Sequence, residues 1–404
     1  MNIQKITNYI CSGAKKSENI GLEIEHFIVD NNNKSVSFYG EYGVCNILEH
    51  ISGFFDVKTY SGEYLISLAN DDYCLTLEPA AQLEISIKPC KTITEVQHYY
   101  NDFLQLISPI LSQYGYKLVT LGYQPSDKVD NLPLIPKKRY EFMDDYFKAT
   151  GKYGKNMMRG TASAQVSVDY SDEKDCMLKL RLANALSPIF AMITDNSPIF
   201  EGKPYKGRML RTEIWSSVDS QRCGIVPNSM SKDFSFKKYA EYIMDTPAIL
   251  TEEDDGTIYT GNKKISEIYS GKTMTSHEIE HILSMFFPDV RLKTYIEIRP
   301  ADSMPIEYTL SYAAFVKGIF LQPNSICEYL NLDNISEADI VNAKQELMRN
   351  GFKAVVYGKN INDILDFLLK NIRQSLTADD YEYLTPIKNI IKTKTTLKEG
   401  FFNA

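Results

Sequence analysis

The stretch Gly21-Leu-Glu-Ile-Glu-His-Phe27 alternates apolar and polar residues along its whole length. Successive side chains of a β-strand point to opposite faces of the sheet. Glu23 and Glu25 would therefore share one face, and Leu22 and Ile24 the other. The alternation predicts a strand whose apolar face is buried and whose other face carries two carboxylates.

Three further stretches repeat this pattern: Leu77-Glu-Pro-Ala-Ala-Gln-Leu-Glu-Ile-Ser86, Ala164-Gln-Val-Ser-Val-Asp169 and Tyr295-Ile-Glu-Ile-Arg299. Their polar faces would carry, in order, Gln82 with Glu84, Gln165 with Ser167, and Glu297 with Arg299. Such alternation is typical of an antiparallel sheet with one solvated face, and it disfavours a doubly wound parallel sheet. Carboxylate and amide oxygens gathered on one face favour a site for a hard cation such as Mg²⁺.

Amphipathic segments between these strands predict helices over 92–113, 139–147, 173–194, 235–246, 276–286 and 304–320. From about residue 335 the chain becomes helical and charged. We therefore expect a main domain over residues 1–330 and a helical C-terminal tail, packed on it, over residues 331–404.

The bulk composition excludes several classes of protein. With 44 Lys and Arg against 52 Asp and Glu in 404 residues, the formal charge of −8 disfavours a nucleic-acid-binding surface. No run approaches the roughly 20 apolar residues of a membrane span, and the N-terminus lacks the apolar core of a signal peptide. Seven widely spaced cysteines favour reduced thiols. These features predict a cytoplasmic protein, and none of them indicates an oligomeric state.

An ordered series of motifs carries a resemblance to a known family. The series comprises Leu77 to Ser86, Gly122-Tyr-Gln-Pro125, Pro136-Lys-Lys-Arg-Tyr-Glu-Phe-Met143, Met157 to Asp169, Asn196-Ser-Pro198 with Glu201-Gly-Lys-Pro204, Met209-Leu-Arg-Thr-Glu-Ile-Trp215, and Phe287 to Arg299. Over residues 18 to 320 the chain resembles the glutamate–cysteine ligases, in particular their plant-type branch. A single motif is weak evidence, but the shared order is strong.

The resemblance implies an α+β fold: a curved, largely antiparallel sheet of the glutamine-synthetase type, shaped as a funnel with helices outside. It also implies a ligase that uses ATP and two or more Mg²⁺ ions to join the γ-carboxylate of L-glutamate to the amino group of L-cysteine. The product would be γ-glutamylcysteine, the precursor of glutathione, with ADP and phosphate released. By the same resemblance the metal ligands would be Glu23, Glu25, Glu78, Glu84, Gln165 and Glu297.

Two arginines receive roles from the resemblance. Arg211 would bind the carboxylate of the substrate glutamate, and Arg299 the transferring phosphoryl group. Elementary chemistry agrees, because a guanidinium group pairs with a carboxylate at two points and because charge develops on phosphoryl oxygens during transfer. Glu297 is expected on an exposed concave face, so that its replacement should abolish ADP formation and leave the fold intact.

Some positions depart from the family pattern. The paired glycines of the acidic motif are Ala80 and Ala81 here, Ser167 replaces an asparagine, and Glu213 stands where the plant branch carries a histidine. These differences leave open a ligase of the same chemistry that uses another amine or another small carboxylate. We expect Trp215, the only tryptophan, to be a core or pocket-wall residue.

A rival motif is His277-Glu-Ile-Glu-His281. Two histidines four residues apart with an intervening glutamate are the zinc-binding signature of many metallopeptidases. Glu278 lies three residues after Thr275, however, which predicts a capping box at the start of an ordinary helix. A metallopeptidase is thus the distant alternative, and a nucleotide-binding protein without catalysis is a third.

Overall fold

The computed structural model describes residues 1–253 and 256–402. Its strands are β1 Ile20–Val29, β2 Val57–Ser61, β3 Tyr64–Ala69, β4 Tyr73–Leu77, β5 Leu83–Cys90, β6 Lys117–Val119, β7 Ala164–Val168, β8 Ile199–Phe200, β9 Lys203–Pro204, β10 Cys223–Gly224, β11 Leu250–Glu253, β12 Gly256–Tyr259, β13 Phe287–Pro288, β14 Val290–Leu292, β15 Ile296–Ile298, β16 Val355–Val356 and β17 Lys359–Asn360.

The helices are α1 Asn2–Cys11, α2 Val44–Ile51, α3 Ile93–Tyr114, α4 Lys138–Thr150, α5 Gly154–Gly160, α6 Glu173–Ile193, α7 Leu210–Trp215, α8 Phe236–Asp245, α9 Ile265–Ile268, α10 Ser276–Leu283, α11 Ile306–Leu321, α12 Pro323–Leu330, α13 Glu337–Asn350, α14 Ile361–Ile372, α15 Ala378–Glu382, α16 Thr385–Thr393 and α17 Leu397–Phe401. Short 3-10 turns occupy Ser52–Phe54, Val129–Asn131, Leu332–Asn334 and Gly351–Lys353. The six helices predicted before residue 330 are all present, with small shifts at their ends.

One large sheet organises the molecule. Its strands lie in the order β14, β15, β7, β1, β5, β4, β3 and β2, and β6 also pairs with the end of β1. Every pairing within it is antiparallel. The predicted α+β class with a largely antiparallel sheet is therefore confirmed, and β1 lies at its centre.

The apolar face of this sheet is buried as the alternation predicts. Leu22 and Ile24 of β1 are almost inaccessible to solvent, as are Ile85 of β5, Val166 of β7 and Ile298 of β15. Helices α3 and α11 pack behind β5, β7 and β1, while α6 packs against β14 and β15. The opposite, acidic face is thereby left to form the site.

The stretch Leu77 to Ser86 is not the single strand that the sequence predicted. It comprises the end of β4, a turn over residues 78–82, and the start of β5. The turn is closed by a hydrogen bond from the Ala81 N–H to the Glu78 carbonyl, 2.9 Å long, and Ala81 adopts φ +65°. Pro79 cannot donate a ladder hydrogen bond, which explains why the strand ends there.

The tail helices share the core of the rest of the chain. Helix α13 packs against α6, while α14 and α16 pack against α11. Asp380 of α15 accepts hydrogen bonds from the Ile93 N–H at 2.9 Å and from Lys317 Nζ at 2.6 Å. Residues 403 and 404 of the predicted tail lie outside the described residues.

Helix α6 corrects the expectation that no segment is long and apolar enough to span a membrane. By length and composition alone it could cross a bilayer, but 89% of its most apolar window is buried inside the protein. This burial is what a core helix shows.

Candidate active site

A cleft of about 270 Å³ opens on the acidic face of the sheet. Seven of the eight residues predicted for the site line it: Glu23, Glu25, Glu78, Glu84, Gln165, Arg211 and Arg299. They come from separated parts of the chain, namely β1, the β4–β5 turn, β5, β7, α7 and the residue following β15. The structure thus brings together side chains that the sequence places up to 276 positions apart, from residue 23 to residue 299.

The strand register explains why the carboxylates converge. Glu25 of β1 lies directly opposite Glu84 of β5, and Glu23 lies opposite Gln165 of β7. Side chains opposite each other in an antiparallel pair are only about 5 Å apart at Cβ, and like charges there repel. The sheet therefore holds Glu25 and Glu84 at an unfavourable spacing.

Hydrogen bonds hold two of these acids in place. Glu25 accepts from the Ser163 N–H at 2.8 Å, from Ser163 Oγ at 2.9 Å and from Gln165 Nε2 at 3.2 Å. Glu84 accepts from Thr76 Oγ1 at 2.9 Å and from Ser86 Oγ at 3.1 Å. Both carboxylates are thereby oriented toward the cleft by neutral donors.

The acids of the cleft are not neutralised by cations. Within residues 1–253 and 256–402, no ion pair involves Glu23, Glu25, Glu78 or Glu84. Burial and then the charge of Glu84 raise the pKa of Glu23 to about 8. Burial and then the charges of Glu78 and Glu84 raise the pKa of Glu25 to about 8. An additional positive charge in the cleft would relieve this repulsion.

The surroundings of Glu297 differ from those of the other predicted ligands. It is fully buried and does not line the cleft, so the expectation that it lies on an exposed concave face is wrong. Its carboxylate pairs with Arg291, Lys293 and Arg299 at distances of 2.7, 3.0 and 2.8 Å. These cations hold the pKa of Glu297 well below its usual range, against the opposing effect of burial. Glu297 thus pairs with three cations in the structure.

The two predicted arginines are in contact with each other. Arg211 Nη1 donates to the Arg299 carbonyl at 2.9 Å, and Arg299 Nη1 donates to Gln165 Oε1. Arg211 is buried, and its Nε has no hydrogen-bond partner in the described structure. Its guanidinium lies 5.5 Å from the ring centroid of Trp215, which lines the cleft as expected of a pocket wall. An unsatisfied guanidinium N–H in a cleft is ready to bind an anion.

Sequence reasoning missed several residues of the cleft wall: Arg139, Tyr140, Met143, Met157, Met158, Phe287, Arg291 and Lys293. Arg291 and Lys293 have odd numbers, as do Glu297 and Arg299. The two-residue period could therefore have placed all four side chains on one face. Arg139 lies within a quoted motif, and its buried Nε also has no hydrogen-bond partner. Glu213, in contrast, is not a cleft residue and accepts a hydrogen bond from Tyr205 at 2.5 Å.

The rival histidine motif serves a structural purpose. Glu278 forms the predicted capping box with Thr275 at the start of α10. His281 is buried and lies 3.2 Å from Glu252, and His277 lies 3.9 Å from the same carboxylate. In the part of the chain that the structure describes, no three His, Cys, Asp or Glu side chains stand close enough together to hold an ion. Nothing in the structure supports the metallopeptidase alternative.

Comparison with known proteins agrees with the geometry. A model of glutamate–cysteine ligase family 2 matches residues 19–393. The chloroplastic glutamate–cysteine ligases of Brassica juncea and Arabidopsis thaliana are each 28% identical, over 97% of this chain and over 79% and 77% of their own lengths. Glutamate–cysteine ligase B of Oryza sativa, also chloroplastic, is 29% identical over 98% of this chain and 82% of its own.

A solved structure confirms the fold. The glutamate–cysteine ligase of Francisella tularensis in complex with AMP superposes with a TM-score of 0.56 at 13% identity, covering 96% of this chain and 85% of that one. The relatives also correct one prediction. We expected a cytoplasmic protein, and the plant relatives contradict that prediction, because they are chloroplastic enzymes.

The family model spans nearly the whole chain, and its members' activity matches the one implied by the sequence motifs. The chain therefore belongs to glutamate–cysteine ligase family 2, the ligases that make γ-glutamylcysteine.

Proposed function

We propose that the cleft activates the γ-carboxylate of L-glutamate with ATP and then transfers the γ-glutamyl group to the amino group of L-cysteine. The observation that carries this proposal is the meeting of four unpaired glutamates with Arg211 and Arg299 in one cleft. A cavity of about 270 Å³ is at the lower end for small-molecule sites. It suits the reacting ends of the substrates, the triphosphate and the γ-carboxylate.

The chemistry explains why both charge types are needed. A carboxylate is a poor electrophile, so its oxygen must first attack the γ-phosphorus of ATP, giving an acyl phosphate and ADP. The amine then attacks the acyl carbon, and phosphate leaves. Negative charge develops on phosphoryl oxygens in the first step, where preorganised cations stabilise the transition state most. No protein nucleophile is required.

Arg211 binds the carboxylate of the substrate glutamate in this proposal. Its Nη1 is committed to the Arg299 carbonyl, whereas its Nε is buried without a partner. A substrate carboxylate would satisfy that N–H and would also neutralise a buried positive charge. Burial lowers the pKa of Arg211, and the charge of Glu25 is the first of those that raise it.

Arg299 contacts the transferring phosphoryl group. Glu297 accepts from Arg299 Nη1 at 2.8 Å and also pairs with Arg291 and Lys293. The carboxylate thus holds three cations along one edge of the cleft. Because these cations are fixed before substrate arrives, they need little reorganisation when charge develops.

The acidic edge fits Mg²⁺. Its donors are carboxylate and amide oxygens, which Mg²⁺ prefers, and its acids are unpaired and repel one another. The predicted ligands that line the cleft are Glu23, Glu25, Glu78, Glu84 and Gln165. Because no three acids of the described residues stand close enough to hold an ion alone, phosphate oxygens of ATP would complete its coordination. When bound, Mg²⁺ would neutralise charge on the triphosphate.

An assay of ADP release tests the proposal. With ATP and Mg²⁺ present, ADP should form rapidly only when both L-glutamate and L-cysteine are added. A panel of other amines and of small carboxylates serves as the control for acceptor and donor. Equal stimulation by every amine would refute cysteine as the acceptor. ADP release that does not depend on glutamate would refute glutamate as the donor.

A further inference from the structure

Lys344 belongs to the tail helix α13 and reaches the back of the cleft. Its side chain is about one-tenth exposed and forms an ion pair with Asp289, the residue between β13 and β14. The same Asp289 oxygen accepts a hydrogen bond from Ser187 Oγ at 3.2 Å. A helix outside the predicted main domain therefore supplies the counter-charge for an acid inside it.

Asp289 lies directly behind the two substrate-binding arginines. Its carbonyl accepts a hydrogen bond from the Arg299 N–H at 2.9 Å, and the Arg299 carbonyl accepts one from Arg211 at 2.9 Å. A small cavity of about 30 Å³ is lined by Lys344, Asp289, Arg211, Arg299 and Trp215, among others. The ion pair and the two guanidinium groups thus border the same space.

This arrangement creates a competition for Asp289. Arg211 has a buried Nε without a partner, and Asp289 is one of the acids whose charge acts on Arg211. The Asp289 side chain is only about 15% exposed. Without its cation it would attract the guanidinium of Arg211, which borders the same cavity, because uncompensated charge is costly in the interior. Arg211 would then be turned toward the protein and away from the substrate.

We propose that Lys344 is a positioning residue, which occupies Asp289 and so leaves Arg211 free to bind the carboxylate of glutamate. The inference rests on the proposed function, since it assumes that Arg211 binds glutamate. It assigns to the C-terminal helices a direct part in substrate affinity.

Steady-state kinetics of four variants test the inference. Lys344→Met should raise the KM for glutamate roughly tenfold, the factor that about 1.4 kcal/mol represents, with an unchanged KM for ATP. Lys344→Arg keeps the charge and should behave as the parent. Adding Asp289→Asn to Lys344→Met should restore the KM for glutamate to within about twofold of the parent, because the two residues act as a coupled pair. Lys353→Met, at an exposed lysine nearby, controls for the loss of one positive charge.

The double variant separates positioning from simple stabilisation. If Lys344 only stabilised the fold, the double variant would be no better than Lys344→Met, and that result would overturn the inference. The single variant Asp289→Asn provides a second test, which does not depend on the folding of Lys344→Met. Its KM for glutamate should match that of the parent, and a tenfold rise would overturn the inference too. If Arg211→Ala leaves the KM for glutamate unchanged, the proposed function fails instead.

Discussion

Arg291 and Glu297 face each other across β14 and β15 and form a two-point ion pair inside the protein. They are direct partners in the strand register, with Arg291 Nε at 2.7 Å and Nη2 at 2.9 Å from the two oxygens of Glu297. Lys293 and Arg299 share the same carboxylate. One buried negative charge therefore holds three cations at the edge of the cleft.

This relationship revises the prediction for Glu297. Glu297→Gln should lower the free energy of unfolding by about 3–5 kcal/mol, because breaking a buried pair leaves uncompensated charge. Urea unfolding followed by circular dichroism measures this loss. ADP formation should also fall, since Arg299 loses its anchor.

Glu23→Gln is the matched control for that experiment. It removes the same charge from a carboxylate that forms no ion pair within the described residues and is repelled by Glu84. We expect lost activity with unchanged or increased stability. We expect destabilisation only at Glu297, which pairs with cations, and not at Glu23, which is repelled by another acid. Equal destabilisation by the two substitutions would contradict this difference.

Mg²⁺ should stabilise the folded protein through the acidic edge of the cleft. A ligand that binds only the native state adds about 2.7 kcal/mol when its free concentration is about 100 times its Kd. The Tm in Mg²⁺ should therefore exceed the Tm in a chelator. Glu25→Gln should reduce that difference, whereas Glu213→Gln, at an acid that does not line the cleft, should preserve it. An identical Tm with and without Mg²⁺ would exclude the metal assignment.

Arg211→Ala should chiefly weaken the use of glutamate. Loss of a charge-assisted hydrogen bond costs about 1.5–3 kcal/mol, so kcat/KM for glutamate should fall at least tenfold. The KM for ATP should change little. Arg211→Lys should restore only part of the loss, because an ammonium group cannot pair with a carboxylate at two points.

Arg208→Ala is the control for Arg211→Ala. Arg208 lies three residues earlier, and its guanidinium pairs with Glu399 outside the cleft. Its replacement should leave both Michaelis constants near those of the parent. If Arg208→Ala and Arg211→Ala had equal effects on glutamate, the specific role of Arg211 would be lost.

Much of the sheet could be predicted from local alternation. β1, β7 and β15 each bury the residues expected, because a period of two fixes which side chains share a face. The carboxylate cluster followed from the same rule once family resemblance placed the strands together. Helix α3 was predicted from its amphipathic pattern, and it begins with a capping box formed by Thr92 and Glu95.

What escaped prediction depends on how the elements pair and pack. The two-residue period could place Arg291 on the face of Glu297, but the strand register that puts them opposite each other had to come from the structure. The contact of Lys344 with Asp289 depends on helix packing and leaves no local signal in the sequence. The Leu77 to Ser86 hairpin was read as one strand because its two arms are both apolar-alternating and the turn between them carries polar residues at the same period.

His26 predicts a pH dependence of stability. It lies on the buried face of β1, where its ring nitrogens contact the Leu83 carbonyl at 3.0 Å and Tyr100 OH at 2.9 Å. Burial lowers the pKa of His26 to about 4 from an ordinary value of 6.5. Between these values the unfolded chain binds more protons than the folded one, so stability rises with pH across that window.

The contribution of His26 to the free energy of unfolding is fully present above pH 6.5. It is lost as the pH falls toward 4, by about 3 kcal/mol in total. Urea unfolding at pH 7 and at pH 5 measures the slope. His26→Gln, which cannot be protonated in this range, should flatten it. His98→Gln, at an exposed histidine on α3, should leave the slope as in the parent, and a parental slope in His26→Gln would refute the assignment.

Ala81 marks the turn that brings Glu78 and Glu84 to the cleft, and its backbone is strained. A non-glycine residue in the left-handed region costs roughly 1–2 kcal/mol, and Ala81 has φ +65°. Ala81→Gly removes that cost but forfeits the burial of one methyl group, worth about 0.8 kcal/mol. Glycine also adds backbone freedom to the unfolded chain, which costs roughly 0.5–1 kcal/mol, so the net effect should lie within about 1 kcal/mol of zero.

Ala80→Gly supplies the comparison, because Ala80 lies in the same turn without a positive φ. There glycine adds only backbone freedom to the unfolded chain and should destabilise by roughly 0.5–1 kcal/mol. The informative quantity is the difference between the two free energies of unfolding, with Ala81→Gly the more stable variant. Equal destabilisation by both substitutions would show that the left-handed conformation at Ala81 costs nothing, and the strained-turn account would then be wrong.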